Sequence, residues 1–381
     1  MLALNAVAGG AAVSGALAGC RSEQPAPALQ PEPTDAANSA PTGIAPAVET
    51  PTAEPSATPS PTRTPTPIPT PLPEIDVKHP ELITRAPDGV SRVVRTRHGS
   101  VWNEDTLSPE SLQQMVARSI TALTGMDDAR AAWSALFAPD ERIAIKVNAF
   151  RNSVIWTHVP LVTAVTDALQ DAGVPAENIL IFDYLTSELE EAGFAVNHDG
   201  PGVRCYGTDT NYTGGFQIVG TQIELSDCLL GCHALINMPV LKSHMLAGLT
   251  FALKNHYGTL RTPQNYHNGT RINHGMGELN ALAPIKERTR LVIGDALTAC
   301  LRYGSAWPYW KPDYTGDAIT MSFDPVATDA VALDMLTTLM RENDVNPDFA
   351  LRTAAPWLEH ATELGLGTHR LDEIQLQELV L

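Results

Sequence analysis

The stretch Glu141–Tyr184, ERIAIKVNAFRNSVIWTHVPLVTAVTDALQDAGVPAENILIFDY, decides the fold. Glu141–Val147 alternates and carries β-branched residues, which predicts a strand. Pro160–Ala172 spaces its apolar residues as an amphipathic helix does and stops at Gly173. Asn178–Tyr184 predicts the next strand. Strand, helix and strand in this order form a βαβ unit, whose two strands lie parallel across a right-handed connection.

The same alternation continues on both sides. Ser108-Pro-Glu-Ser-Leu carries helix-entry signals, with helical spacing through Leu123. Phe216–Leu225 predicts two short strands, Asp227–Ala234 a helical turn and Leu235–Val240 a buried strand. Met245–Tyr257 predicts a helix with Leu246, Leu249 and Leu253 on one side, ended by Gly258. Arg290–Asp295 predicts a strand, and Thr320–Phe323 followed by Pro325–Met340 a strand and a helix. The expected fold class is α/β, a mostly parallel sheet with helices on both faces. The expected globular domain spans 76–381.

Two segments precede it. Residues 2–19 are small and apolar with no charge, and Leu17-Ala18-Gly19-Cys20 follows. That tetrapeptide resembles the lipobox of bacterial lipoproteins, so 1–20 is expected to be a signal segment, with Cys20 the lipidated residue. Small residues at Ala18 and Gly19 suit a peptidase groove, and two or more acyl chains give stable anchoring. Signal peptides open with a basic region, whereas no Lys or Arg precedes Cys20; a basic or twin-arginine segment is expected upstream. A frayed apolar terminus of a cytoplasmic protein is the plainer alternative. Residues 21–75 hold 15 of the chain's 30 prolines. Proline lacks the backbone donor that helices and sheets need, and the segment has little apolar area to offset ordering. A disordered, polyproline-rich stalk is expected, at most ~170 Å long at ~3.1 Å per residue. The combination implies an exported protein anchored to the outside of the cytoplasmic membrane.

Composition narrows the partners. The formal net charge is −18 and no basic patch occurs, which argues against nucleic acid. The hydrophobic fraction of 44% is enough for a real core. Four cysteines outside Cys20 are too few for a disulfide scaffold. Cys228 and Cys232 lie one helical turn apart beside His233, which could form one edge of a metal site. They lack the second pair that zinc or iron–sulfur binding needs, and buried small hydrophobes are the simpler reading.

Ligands of parallel α/β sheets sit beyond the carboxyl ends of the strands. Lys146 and Asn148 end the first strand and Asp183 the second. Asn237, Lys242 and His244 lie in and after LINMPVLKSH, Asp295 ends RLVIGD and Asp324 ends MSFD. Lysines converging there suit a small anionic ligand. Lys146 stands among Ile143, Ile145 and Val147, where an unpaired lysine is costly. Asp324 before Pro325 also fits a helix N-cap. Lys254 and His256 also fit a helix C-terminus. His267 and His274, in NYHNGTRINHGMG, are candidate metal ligands or simply solvated. Lys146, Asn237, Lys242, His244, Lys254, Asn255 and Asp295 are predicted to line one concave pocket. No glycine-rich phosphate loop, nucleophile elbow or His-Glu-x-x-His is present.

ALINMPVLKSHMLAGLTFALKNHYG, Ala234–Gly258, resembles the bacterial family called domain of unknown function 362. So do IKVN at Ile145–Asn148, Asp-Pro-Val-Ala-x-Asp at Asp324–Asp329 and Glu-Leu-Gly-Leu-Gly at Glu363–Gly367. Some members carry ferredoxin-type modules; this chain has no Cys-x-x-Cys-x-x-Cys run, so an iron–sulfur cluster of its own is not expected. The same stretch is distantly similar to nickel-pincer racemases related to lactate racemase. That resemblance implies a covalently attached nickel-pincer nucleotide on Lys254 and a general acid or base at His244. Ten residues on one unbroken helix rise about 15 Å, so it requires Gly248 to mark a loop. The Gly-Gly that precedes the lysine in those enzymes is missing here.

Three functions follow. One is an extracytoplasmic enzyme, isomerase-like or redox-linked, acting on a small anion through Lys242, His244 and Lys254, with Lys146, Asn148, Asn237, Asn255, Asp295 and Asp324 as ligand-binding groups. The second is a non-catalytic ligand-binding lipoprotein. The third is an accessory partner of an envelope redox complex.

Overall fold

The computed structural model describes residues 90–381. Cys20 and the proline-rich segment 21–75 lie outside the described residues. The first elements are β1 (Ser91–Arg97), a short pair β2 (Trp102–Asn103) and β3 (Thr106–Leu107), α1 (Pro109–Thr124) and α2 (Ala129–Leu136). The unit read first from sequence follows, with β4 (Ile143–Lys146), α3 (Val159–Asp171) and β5 (Ile179–Phe182), then α4 (Thr186–Glu191) and β6 (Arg204–Cys205). A hairpin of β7 (Tyr212–Ile218) and β8 (Thr221–Ser226) leads into α5 (Asp227–Leu230). Next come β9 (Ala234–Asn237), β10 (Val240–His244), β11 (Gly248–Thr250), α6 (Ala252–Asn255), α7 (Gly269–Ala281) and α8 (Ala283–Lys286). The last are β12 (Thr289–Cys300), β13 (Tyr314–Ser322), α9 (Pro325–Glu342), α10 (Asp348–Glu363) and β14 (Ile374–Val380).

Among the described residues the main sheet runs β14-β1-β13-β12-β9-β4-β5-β6, with β10 beside β12 and β11 beside β10. The pairs from β12 through β9, β4 and β5 to β6 are parallel, while β13 runs antiparallel to both neighbours. The fold is α/β with a mostly parallel sheet. Period-two alternation sorts the side chains of each strand between two cores. Ile143, Ile145, Ile236 and Ile293 pack on one face with α1–α3. Ala144, Phe182, Leu235 and Val292 pack on the other with α6, α7, α9 and α10. Helices therefore cover both faces.

One predicted element differs. Met245–Tyr257 is not one helix: β10 runs through His244, the chain turns, β11 returns antiparallel with His244 opposite Gly248, and the α-helix is confined to Ala252–Asn255. The His244 ring nitrogen Nδ1 accepts from the Leu246 and Ala247 N–H groups, both at 3.0 Å. Trp357 Nε1 donates to the Ala247 carbonyl at 2.9 Å. Gly248 has φ 77°, and a Cβ there would stand 2.5 Å from the Ala350 carbonyl oxygen. Apolar spacing over so few residues fits a hairpin as well as a helix, and here tertiary bonds select the hairpin. Gly248→Ala combines left-handed backbone with a backbone clash, and should destabilise the protein by about 1–3 kcal/mol. A urea unfolding curve with an unshifted midpoint would contradict this.

Candidate functional site

The carboxyl ends of β4 and β9 place Lys146 and Asn237 side by side in register. Both follow the alternation onto the α6 and α9 face. Lys146 Nζ donates to Asp183 Oδ1 at 2.6 Å and to the Val147 carbonyl at 2.7 Å. Asp183 Oδ2 accepts the Ala149 N–H at 2.6 Å. Gly258 closes over this ion pair; a Cβ there would lie 2.6 Å from Asp183 Oδ1 and 2.7 Å from Lys146 Nζ.

From Lys242 a chain of side-chain amides leads to α6. Lys242 Nζ donates to Asn148 Oδ1 at 2.6 Å, and Asn148 Nδ2 donates to Asn255 Oδ1 at 3.1 Å. Asn255 Nδ2 donates to Asn237 Oδ1 at 2.7 Å and to the Lys146 carbonyl at 3.2 Å. Asn237 Nδ2 ends the chain on the Ala252 carbonyl at 2.7 Å. Every amide oxygen accepts and every amide nitrogen donates, so the chain has one direction. Lys242 also points at the Ile155 carbonyl at 3.4 Å and lies 5.8 Å from the centre of the Trp310 ring.

Lys254, on the four-residue α6, donates to His267 Nε2 at 3.0 Å. His267 Nδ1 lies 2.9 Å from the Pro263 carbonyl, which can only accept. Nδ1 therefore carries the proton and Nε2 offers its lone pair to the lysine. The Lys254 amine sits 5.0 Å from the centre of the Tyr257 ring. His244 stacks on Trp310 at 5.5 Å and lies 5.6 Å from His267. Gly248 thus does mark a turn, and His244 and Lys254 both neighbour His267.

Exposures are 1% for Lys146, 2% for Lys242, 5% for His244 and 8% for Lys254. Apart from Asp295, the groups predicted to line one pocket converge as a packed cluster, half-buried only at Asn148 and His267. Among the described residues Lys242 and Lys254 have no carboxylate within ion-pair distance. Burial pushes the Lys242 amine down to about 7. Burial and the nearby Lys242 charge bring Lys254 down to about 7 as well. His267 is lowered to about 4 by burial and Lys254, and His244 falls well below its ordinary value for the same reasons.

Two carboxylates expected here stand elsewhere. Asp295 shares the parity of Ile293 and so points to the opposite face. Its Oδ2 accepts from the His158 backbone N–H at 2.8 Å and Nδ1 at 2.7 Å, where α3 begins. Burial alone would lower the His158 pKa, but Asp295 raises it. Asp324 caps α9, accepting from the Val326 and Ala327 N–H groups at 2.9 and 2.8 Å, and takes the Ser91 hydroxyl at 2.6 Å. His274 packs against His360 rather than His267. Cys228 and Cys232 are buried free thiols. No group of three or more His, Cys, Asp or Glu residues among those described is arranged to hold a metal ion.

Asp329, Trp310 and Tyr257 complete the cluster, and strand ends do not reveal them. Asp329 Oδ1 and Oδ2 accept the Ala252 and Leu253 N–H groups at 2.6 and 3.0 Å, capping α6 from α9. The signal for it is the spacing in Asp324–Asp329. Trp310 comes from the aromatic loop YGSAWPYW, which has no periodicity to read. A separate cleft of about 540 Å³ is lined by Arg142, Asn178, Arg204, Tyr206 and Cys228 among others.

The model of the family Domain of unknown function (DUF362) matches residues 143–334, half of the chain. The chain belongs to that family. The lactate racemase apoprotein from Thermoanaerobacterium thermosaccharolyticum is similar in structure at 10% identity and a TM-score of 0.34, over 65% of this chain and 57% of that one. A protein from Thermotoga maritima is similar at 10% identity and a TM-score of 0.35, over 69% and 60%. This chain spans less than two thirds of the length of either. No curated protein matches.

Asp329→Ala should strand the Ala252 and Leu253 N–H groups at about 1–3 kcal/mol each. Denaturant unfolding measures the loss, and an unchanged midpoint would show that α6 is held by other means.

Proposed function

We propose that this protein is an envelope lipoprotein whose α/β domain binds and transforms a small anion at the Lys242–Lys254 cluster. The carrying observation is two buried lysine amines with hydrogen-bond partners but no carboxylate. An ammonium removed from water needs a compensating negative group, and an anionic ligand supplies it. His244 and His267 are held neutral with defined tautomers, which suits proton transfer beside such a ligand. Lys146, already paired with Asp183, keeps the floor of the site in place. A lysine amine is also the group that would carry a covalent organic nickel cofactor.

Binding should follow the charge of the two amines. Both are protonated below about pH 7 and neutral above it, so affinity for an anion should fall as pH rises through that value. Calorimetric titration with glyoxylate, whose carboxylate stays ionised across this range, reads this directly, with inorganic phosphate as a second anion at fixed pH. Lys242→Met and Lys254→Met should each weaken binding by about ten- to a hundredfold, the worth of one charge-assisted hydrogen bond. Equal affinity in both variants would remove the site.

The anchor forms the other half of the proposal. The Leu17–Cys20 tetrapeptide and the proline-rich segment after it support export, lipidation at Cys20 and a tether that holds the domain away from the membrane. Among the described residues no helix is long and apolar enough to cross a membrane. Cys20→Ala should move the protein from the membrane fraction to the soluble fraction of its host. Retention of the variant in the membrane would end the lipoprotein reading.

A further inference from the structure

The three buried lysines of the cluster have three different kinds of partner. Lys146 faces a carboxylate, Asp183. Lys242 faces an amide oxygen and a backbone carbonyl, neither of which takes up a proton near neutrality. Lys254 alone faces a base, the lone pair of His267 Nε2, fixed in place by the Nδ1 contact to Pro263. An amine that gives one N–H to such a base keeps its own lone pair for attack. The Lys242 charge beside it favours the neutral amine further, the arrangement that activates lysine nucleophiles. The same Lys242 can hold an anionic group next to the attacking nitrogen.

We infer that Lys254 is a carbonyl-reactive amine, condensing with a small anionic aldehyde or 2-oxo acid to form an imine. The inference rests on the anion-site reading above and names its substrate class. A C–N bond forms as the lysine nitrogen adds to the carbonyl carbon, and His267 Nε2 takes a proton from that nitrogen. The carbonyl oxygen, protonated twice, then leaves as water as the C=N bond forms. The two protons lost by the amine leave in that water, so the step needs no oxidant or reductant. Lys242 stays protonated on the anion. The groups around Lys254 are Lys242 and His244 on β10, His267 in its loop and Tyr257 following α6; none is an acid that would hold Lys254 as a salt bridge.

The test is reductive trapping on the full chain. Protein is incubated with glyoxylate and cyanoborohydride over a pH series and carboxymethylated lysines are mapped. At glyoxylate concentrations that saturate the anion site, Lys254 should label at least about tenfold faster than the exposed Lys311 near neutrality, with its rate rising through about pH 7. His267→Phe should slow the labelling, and Lys242→Met should slow it for glyoxylate much more than for uncharged acetaldehyde. Labelling of Lys254 no faster than Lys311, or only after denaturation, overturns the inference. Glyoxylate binding by calorimetry without an adduct overturns the imine and leaves the anion site. An acetaldehyde adduct at Lys254 in protein that binds neither phosphate nor glyoxylate overturns the anion site instead.

Discussion

A lysine ammonium loses several kcal/mol of hydration when it leaves water, and this fold buries three lysines, one each on β4, β10 and α6. How their charge is balanced governs the rest of the site. Lys146 is balanced by Asp183, which also takes a backbone N–H and so holds the loop after β4. Lys242 has only dipoles within hydrogen-bond distance, with the Trp310 ring beside it. Its amide chain through Asn148, Asn255 and Asn237 ends on a backbone carbonyl of α6, the element that carries Lys254. Each amide has a defined orientation because its neighbour has one. Replacing any of them leaves a buried donor or acceptor without a partner, so the network works as a unit.

Two distant contacts aim that unit. Helix α6 is one turn long and has no side-chain cap of its own; so short a helix is not stable by itself. Asp329 supplies the missing acceptors from α9, and Asn280 Nδ2 donates to the Leu253 carbonyl at 2.9 Å. The β10–β11 turn is held from α10 by Trp357. Lys254 and His244 thus reach His267 from opposite sides of a short segment. Its geometry depends on the helices packed over it.

Much of this was legible in the residues. The βαβ unit at Glu141–Tyr184 was readable because β-branched alternation and helical spacing differ clearly over such lengths. The strand-end rule found Lys146, Asn148, Asn237 and Lys242, because a parallel sheet brings those ends together whatever the loops do. It misplaced Asp295, since being at the carboxyl end does not tell which face a residue takes. One residue of parity sends Asp295 to α3 and Asn237 to α6. The Met245–Tyr257 segment was misread because Leu246, Leu249 and Leu253 fit a helical stripe as well as a hairpin in a core. His267 was visible only as a histidine in a polar loop. Its role depends on Pro263 and Lys254, which only the folded chain brings to it. The proline-rich segment and Cys20 are read from composition and motif alone.

The fold itself shows how it buries a cation that has only a structural task. Arg290 is fully buried at the other end of the sheet. Its guanidinium meets both oxygens of Glu141 at 2.6 and 2.7 Å, adds the Leu136 carbonyl at 2.8 Å and lies against the Phe137 ring. That bidentate pairing joins charge and two hydrogen bonds in one contact, although the Arg290 Nε is buried without a partner. Lys242 and Lys254 are also buried and have no such carboxylate, although Asp324 and Asp329 are buried too and Asp329 reaches α6 itself. Those two carboxylates are committed to helix N-termini instead. The Arg290–Glu141 pair gives its cation a carboxylate, whereas Lys242 and Lys254 meet amides, carbonyls and an imidazole; that contrast is what the anion-site proposal rests on.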